Sequence, residues 1–155
     1  MQLRKPMGKP VRTSEIAFDH SSVTLSGTLS LPTEPHGAVL FAHGSGSSRF
    51  SPRNQHVASI LQGSGFATLL LDLLTEDEAQ DREAVFDIDL LAVRLAAAHR
   101  WARKVEELVG VGFGYFGTCV LHVLQGCLRA SDGYCVQQCV ARVKIPLSSS
   151  GRSSR

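Results

Sequence analysis

Ala38-Val39-Leu40-Phe41-Ala42-His43-Gly44-Ser45-Gly46-Ser47-Ser48 runs from an apolar strand pattern into a Gly/Ser turn, the signature of an α/β fold. Its first five residues are apolar throughout, as in a strand covered on both faces of a sheet. Ala42 to Ser48 form a small-residue turn at the strand's end. Ser51-Pro52 comes next, with Ser51 suited to a helix N-cap and Pro52 to the first helical position. Strand, Gly/Ser turn and helix in that order place backbone N–H groups at one edge of a parallel sheet.

The rest of the chain repeats the alternation. Val57, Ile60 and Leu61 mark one face of the first helix, which Gly63 and Gly65 close. Phe66 to Leu71 is a second apolar strand ending at Asp72, on the carboxyl edge where open α/β folds bind ligands. Asp72 also reads as the cap of a turn. Thr75 to Glu83 is an acidic loop or helix lead-in. Ile88, Leu91, Leu95 and Ala98 recur at helical spacing through to Trp101. Val109 to Phe116 reads as a third buried strand, and Gly117-Thr118-Cys119 as a second strand-end turn.

Upstream, Ile16-Ala17-Phe18 precedes Ser22 to Leu31. In the latter, Val23, Leu25, Gly27, Leu29 and Leu31 alternate with Thr24, Ser26, Thr28 and Ser30. One apolar and one polar face indicate an antiparallel strand at a sheet edge. Pro32 and Pro35 end it. The fold class is therefore α/β: three layers, a mainly parallel sheet with helices on both faces, and an antiparallel hairpin-like start.

Composition agrees with a single soluble domain. The chain has 155 residues, 43% of them hydrophobic, and a net charge of +2, enough for a real core. So weak a charge gives no footprint for nucleic acid. The apolar runs are too short and interrupted to span a bilayer. Met1 to Pro6 leads into no apolar targeting segment, so a cytoplasmic location is expected. Residues 1–10 read as a flexible arm, 11–130 as the folded domain and 131–155 as a divergent, disordered tail, since periodicity fades after Ala130 and Pro146 to Arg155 is Ser/Arg-rich. Cys119, Cys127, Cys135 and Cys139 have spacings that match no zinc pattern. The last three read as buried or incidental thiols, and no metal or cofactor is expected.

Three features carry chemistry. Glycines and serines in His43-Gly44-Ser45-Gly46 allow backbone donors to approach a developing oxyanion; the bland alternative is a turn without chemistry. Cys119 at a helix start would have its thiolate favoured by the helix dipole; the alternative is a small buried cysteine. Gly112-Phe113-Gly114-Tyr115-Phe116-Gly117 satisfies the dinucleotide fingerprint G-x-G-x-x-G, with Asp132 downstream, but its glycines fall inside the apolar strand rather than after it. His20, His36 and His99 sit in polar contexts that suggest solvation, and His56 reads as a surface or half-buried helix residue.

Ala42 to Asn54, Leu69 to Thr75, Phe86 to Leu91 and Gly114 to Gly117 together resemble the dienelactone hydrolase-like branch of the α/β-hydrolase superfamily, over roughly two thirds of the chain. The resemblance implies hydrolysis of an ester- or lactone-like acyl bond in a small molecule. Cys119 is then the nucleophile candidate. Backbone N–H groups of Gly44 or Ser45 and of Val120 are the oxyanion donors, and His43 shapes the first turn. The family usually continues differently after Gly117. Here Leu121 replaces the last glycine of the nucleophile turn. The superfamily's acid and histidine follow the nucleophile in that order. In this chain Asp132 is the acid after Cys119, His122 precedes it and no histidine follows it. A fold incomplete at the C-terminus, impaired activity and self-association through an exposed sheet edge are expected. The competing reading is an inactive truncated or frameshifted remnant, or a module that only binds.

Overall fold

The computed structural model describes residues 10–42 and 48–117. Five strands build one sheet: β1 (Val11–His20), β2 (Val23–Pro32), β3 (Gly37–Ala42), β4 (Ala67–Asp72) and β5 (Gly112–Phe116). Their spatial order is β1-β2-β4-β3-β5. β2 runs antiparallel to both its neighbours, while β3 is parallel to β4 and to β5. Four strands thus share one direction, and β2 alone opposes them.

The helices α1 (Pro52–Gly63) and α3 (Ile88–Ala102) cover opposite faces, with the short α2 (Arg82–Phe86) before α3. The period-two alternation of β3 divides its residues between them. Leu40 and Ala42 join Leu69 and Leu71 of β4 and Leu91, Leu95 and Ala98 of α3 in the larger core. Val39 and Phe41 join Leu70 and Ala58 of α1 in the smaller one. Burying Phe41 completely contributes about 1.5–3 kcal/mol. This is the three-layer α/β arrangement expected from the alternation of elements.

The local chemistry explains the element ends. Pro52 occupies the first turn of α1, and Ser51 precedes it without a side-chain capping bond. Gly65 follows α1 at φ +85, a backbone conformation suited to glycine. Asp87 caps α3 by accepting from the Leu90 N–H at 2.9 Å. In β2, Gly27 allows close passage of β4: a Cβ there would lie 2.8 Å from the Leu70 carbonyl oxygen.

Four sequence expectations are corrected. Ser22 to Leu31 is not the edge strand, because β1 pairs with β2 along its whole length and takes the edge. Polar pairs directly across the ladder join them: Thr13 with Ser30 at 3.0 Å, Thr28 donating to Glu15 at 2.7 Å, and Thr24 to Asp19 at 2.7 Å. Ile60 is 56% exposed, and the buried side of α1 is built from Ala58 with Val57 and Leu61. Val109 is not in a strand. A 3-10 turn over Glu106–Leu108 buries Leu108 and leaves Val109 outside, so that β5 begins at Gly112. β5 is half-buried rather than fully covered, since among the described residues it pairs with β3 alone. The flexible arm, the divergent tail and C-terminal incompleteness fall on residues outside those described, apart from Pro10.

Candidate active site

β3, β4 and β5 run parallel and therefore end at one edge of the sheet. Ala42 is in register with Leu71, and Phe41 with Phe116. The chain thus leaves for His43 from one strand and for Thr118 from its immediate neighbour. This adjacency is what the two strand-end turns required. Residues His43, Gly44, Ser45, Cys119 and Val120 lie outside the described residues, as does Asp132. What is described is the frame on either side of them.

Asp72, at the end of β4, stands at this edge. Its Oδ1 accepts from the backbone N–H of Arg49 at 2.9 Å, and its Oδ2 pairs with Arg49 Nη1. Asp72 thus holds the segment ahead of α1, rather than capping the turn that follows its own strand. Arg49 Nε lies 3.4 Å from Glu15 Oε2 in β1, an ion-pair distance without hydrogen-bond geometry. Phe50 lies against the guanidinium, 4.5 Å from ring centre to Cζ. One cation therefore ties together the outer strand, β4 and the residues that follow the Gly/Ser turn.

A second ion pair fixes the acidic segment after β4. Arg94 of α3 is 3% exposed. It grips both carboxylate oxygens of Glu78 at 2.6 Å each and donates to the Leu73 carbonyl at 2.8 Å. Such two-pronged pairing is geometrically specific. Glu78 also accepts from the Thr75 N–H, while Thr75 Oγ1 accepts from the Glu78 N–H, a reciprocal capping box. The hydrogen bonds from Arg94 chiefly hold the Glu78 pKa down to about 2; partial burial opposes them and Thr75 reinforces them.

His99 is a correction. It is half-buried, with Nδ1 2.8 Å from Tyr115 Oη and its ring 4.7 Å from that of Phe113. Burial, with Arg103 and Arg100 nearby, lowers its pKa. His20 is half-covered, whereas His36 and His56 are exposed. Gly112 and Gly114 lie inside β5, so the first two glycines of G-x-G-x-x-G are not in the post-strand turn that a dinucleotide needs. Among the described residues no group of three His, Cys, Asp or Glu could hold a metal, and no helix is long and apolar enough to cross a membrane. An open groove of about 560 Å³, lined by Pro10, Leu31, Pro32 and Pro35 among others, lies at the opposite edge, away from this frame.

No family profile matches the chain. The dienelactone hydrolase of Anabaena variabilis is 43% identical, with a TM-score of 0.69 over 75% of this chain and 56% of its own. Est1E of Butyrivibrio proteoclasticus (16% identity, TM-score 0.60, 75% of this chain and 46% of that one) shares the fold. So does brefeldin A esterase, a bacterial homologue of human hormone sensitive lipase (16%, 0.56, 84% and 39%). A Mycobacterium tuberculosis protein named "Putative phosphoribosyl transferase" is 48% identical over 108 residues, 70% of this chain. The chain spans about a quarter of that relative's length, 24%, and little more than half that of the Anabaena enzyme. The N-terminal three quarters of this chain is an α/β-hydrolase region of dienelactone hydrolase-like type.

Proposed function

We propose that the protein cleaves ester- or lactone-like acyl bonds in a small molecule. The observation that carries this is the Phe41–Phe116 register, which starts the His43 and Thr118 segments from adjacent strands at one sheet edge. In the proposed step the Cys119 thiolate attacks the acyl carbonyl. Backbone N–H groups of Gly44 or Ser45 and of Val120 receive the negative charge on the carbonyl oxygen, and His43 shapes that turn. The tetrahedral species collapses with departure of the alkoxide, leaving a thioester on Cys119. Release then needs a base to activate water. Within these 155 residues no histidine follows Asp132, and a burst of acylation without sustained turnover is the outcome expected when this stretch is assayed alone.

Phosphoribosyl transfer is the weaker reading. That name belongs to a relative of which the matched part is 24%, whereas the solved structures sharing this fold include a dienelactone hydrolase and an esterase. The remaining alternative, a remnant without activity or a module that only binds, is separated by experiment. p-Nitrophenyl acetate is given to the wild type, Cys119→Ala and His43→Ala. The proposal expects a stoichiometric burst of p-nitrophenolate that Cys119→Ala abolishes and His43→Ala slows. No burst from the wild type favours the inactive remnant. Sustained turnover abolished by Cys119→Ala would show that a working base exists. A cytoplasmic setting and self-association through a sheet edge belong to the same proposal; cell fractionation and size-exclusion chromatography across a concentration series test them.

A further inference from the structure

Arg49 is gripped at both of its ends. Its backbone N–H and its guanidinium reach the two oxygens of a single carboxylate, Asp72, which is itself fixed in β4. The other side of the guanidinium faces Glu15 of β1, and Glu15 is held by Thr28 of β2 at 2.7 Å. The segment joining β3 to α1 is therefore pinned where it descends into α1. Its upper end is pinned by the ladder, in which Ala42 is in register with Leu71. Next to Arg49, the Ser51 N–H donates to the Ser48 carbonyl at 2.9 Å, and the Phe50 N–H reaches Ser48 Oγ at 3.3 Å. Both anchors of the connection thus refer to adjacent positions on one strand, Leu71 and Asp72.

We propose that Asp72 is a positioning residue for acyl transfer, acting through Arg49 to fix the β3–α1 connection at the sheet's carboxyl edge. The inference rests on the acyl-hydrolase reading above and adds to it a residue that touches neither acyl group nor nucleophile. The reason is chemical. Oxyanion stabilisation depends on donors already in place, and small displacements are costly. A carboxylate that holds backbone and side chain of the same residue fixes the chain's direction as well as its position. An ordinary surface ion pair fixes neither.

Two reactions at the same sulfur separate this role from general damage. Alkylation by iodoacetamide forms a C–S bond and expels iodide, with no charge developing on a carbonyl oxygen. Acylation by p-nitrophenyl acetate forms a C–S bond and expels p-nitrophenolate through a tetrahedral oxyanion. Both rates are read at Cys119 by peptide mass spectrometry in the wild type, Asp72→Ala and Asp72→Asn. The amide variant keeps an acceptor for the Arg49 N–H and loses the ion pair, so it serves if the alanine variant does not fold. Acylation should fall about tenfold to hundredfold in Asp72→Ala and less in Asp72→Asn. Alkylation, which reports thiolate character, should change by less than about twofold. An unchanged acylation-to-alkylation ratio in both variants overturns the positioning role while leaving the hydrolase reading intact. A wild type whose Cys119 is acylated no faster than its other cysteines removes the hydrolase reading, and this proposal with it.

Discussion

Glu78→Gln should destabilise the protein more than the simultaneous replacement Glu78→Gln/Arg94→Met. Arg94 is almost wholly enclosed, with 4% of its side chain exposed, whereas Glu78 keeps 28%. Removing the carboxylate charge strands a guanidinium that water cannot reach. Removing both leaves an apolar side chain of similar reach in an apolar site. Breaking a buried ion pair typically costs about 3–5 kcal/mol, while replacing it whole is often near neutral. The lowered Glu78 pKa sets a ceiling near 3 kcal/mol for its part, and its exposed side reduces this to about 1–2 kcal/mol by solvent screening. Adding the stranded cation, we expect about 2–3 kcal/mol for Glu78→Gln and about 1–2 kcal/mol for the pair, whose residual cost is the unmet Leu73 carbonyl. Urea unfolding at pH 7 reads both. At an m-value of about 1–2 kcal/mol/M, the single variant's midpoint falls by about 1–3 M and the double variant's by less. The pH dependence follows with a definite sign. The Glu78 pKa is depressed in the folded state, so its stabilisation is present above about 4.5 and is lost as pH falls from there toward about 2. Glu78→Gln should lack that acid-side loss. A double variant less stable than the single one would refute the stranded-charge reasoning.

Three further outcomes follow from the packing. Phe41→Ala, at a fully buried position, should cost about 3–5 kcal/mol in urea unfolding, whereas Ile60→Ala, at an exposed one, should stay within about 0.5 kcal/mol. Gly27→Ala forces a Cβ toward the Leu70 carbonyl and should destabilise by about 1–3 kcal/mol; Gly63→Ala, in open space at the end of α1, should be neutral or stabilise by up to about 0.5 kcal/mol. His99 should titrate below its ordinary 6.5 when followed by NMR, because burial disfavours the cation. Its contribution is therefore complete above 6.5 and declines as pH falls through 6.5 toward the folded-state pKa, and a titration at or above 6.5 would show that the Tyr115 contact does not enclose it.

Much of the fold was legible because several segments carry their environment in their own residues. β3 and β4 are continuous apolar runs, as strands covered on both faces must be. Leu91, Leu95 and Ala98 mark the buried stripe of α3. β1 was legible only in part: Val11 to Glu15 are all exposed, so no period-two contrast sets them apart, and the strand is defined by its polar partners on β2. Arg94 did leave a signal, a charge three residues after Leu91 on the apolar stripe, which is where a buried ion pair belongs. The Arg49–Asp72 pair left none, since its members are 23 residues apart and meet through sheet register alone. His99 flanks the same stripe, and its enclosure depends on Phe113 and Tyr115 of a distant strand. Of the candidate site, the sequence offered the residue types and their order. The parallel ladder supplied the adjacency of the strands from which they extend.

Whether this scaffold presents Cys119 as an acyl-accepting nucleophile is read by mapping the acetyl group after brief exposure to limiting p-nitrophenyl acetate. A single thioester on Cys119 is expected, absent from Cys119→Ala, with Cys127, Cys135 and Cys139 unmodified. Acetyl groups spread evenly over the four cysteines and the lysines, or found everywhere except Cys119, would contradict it.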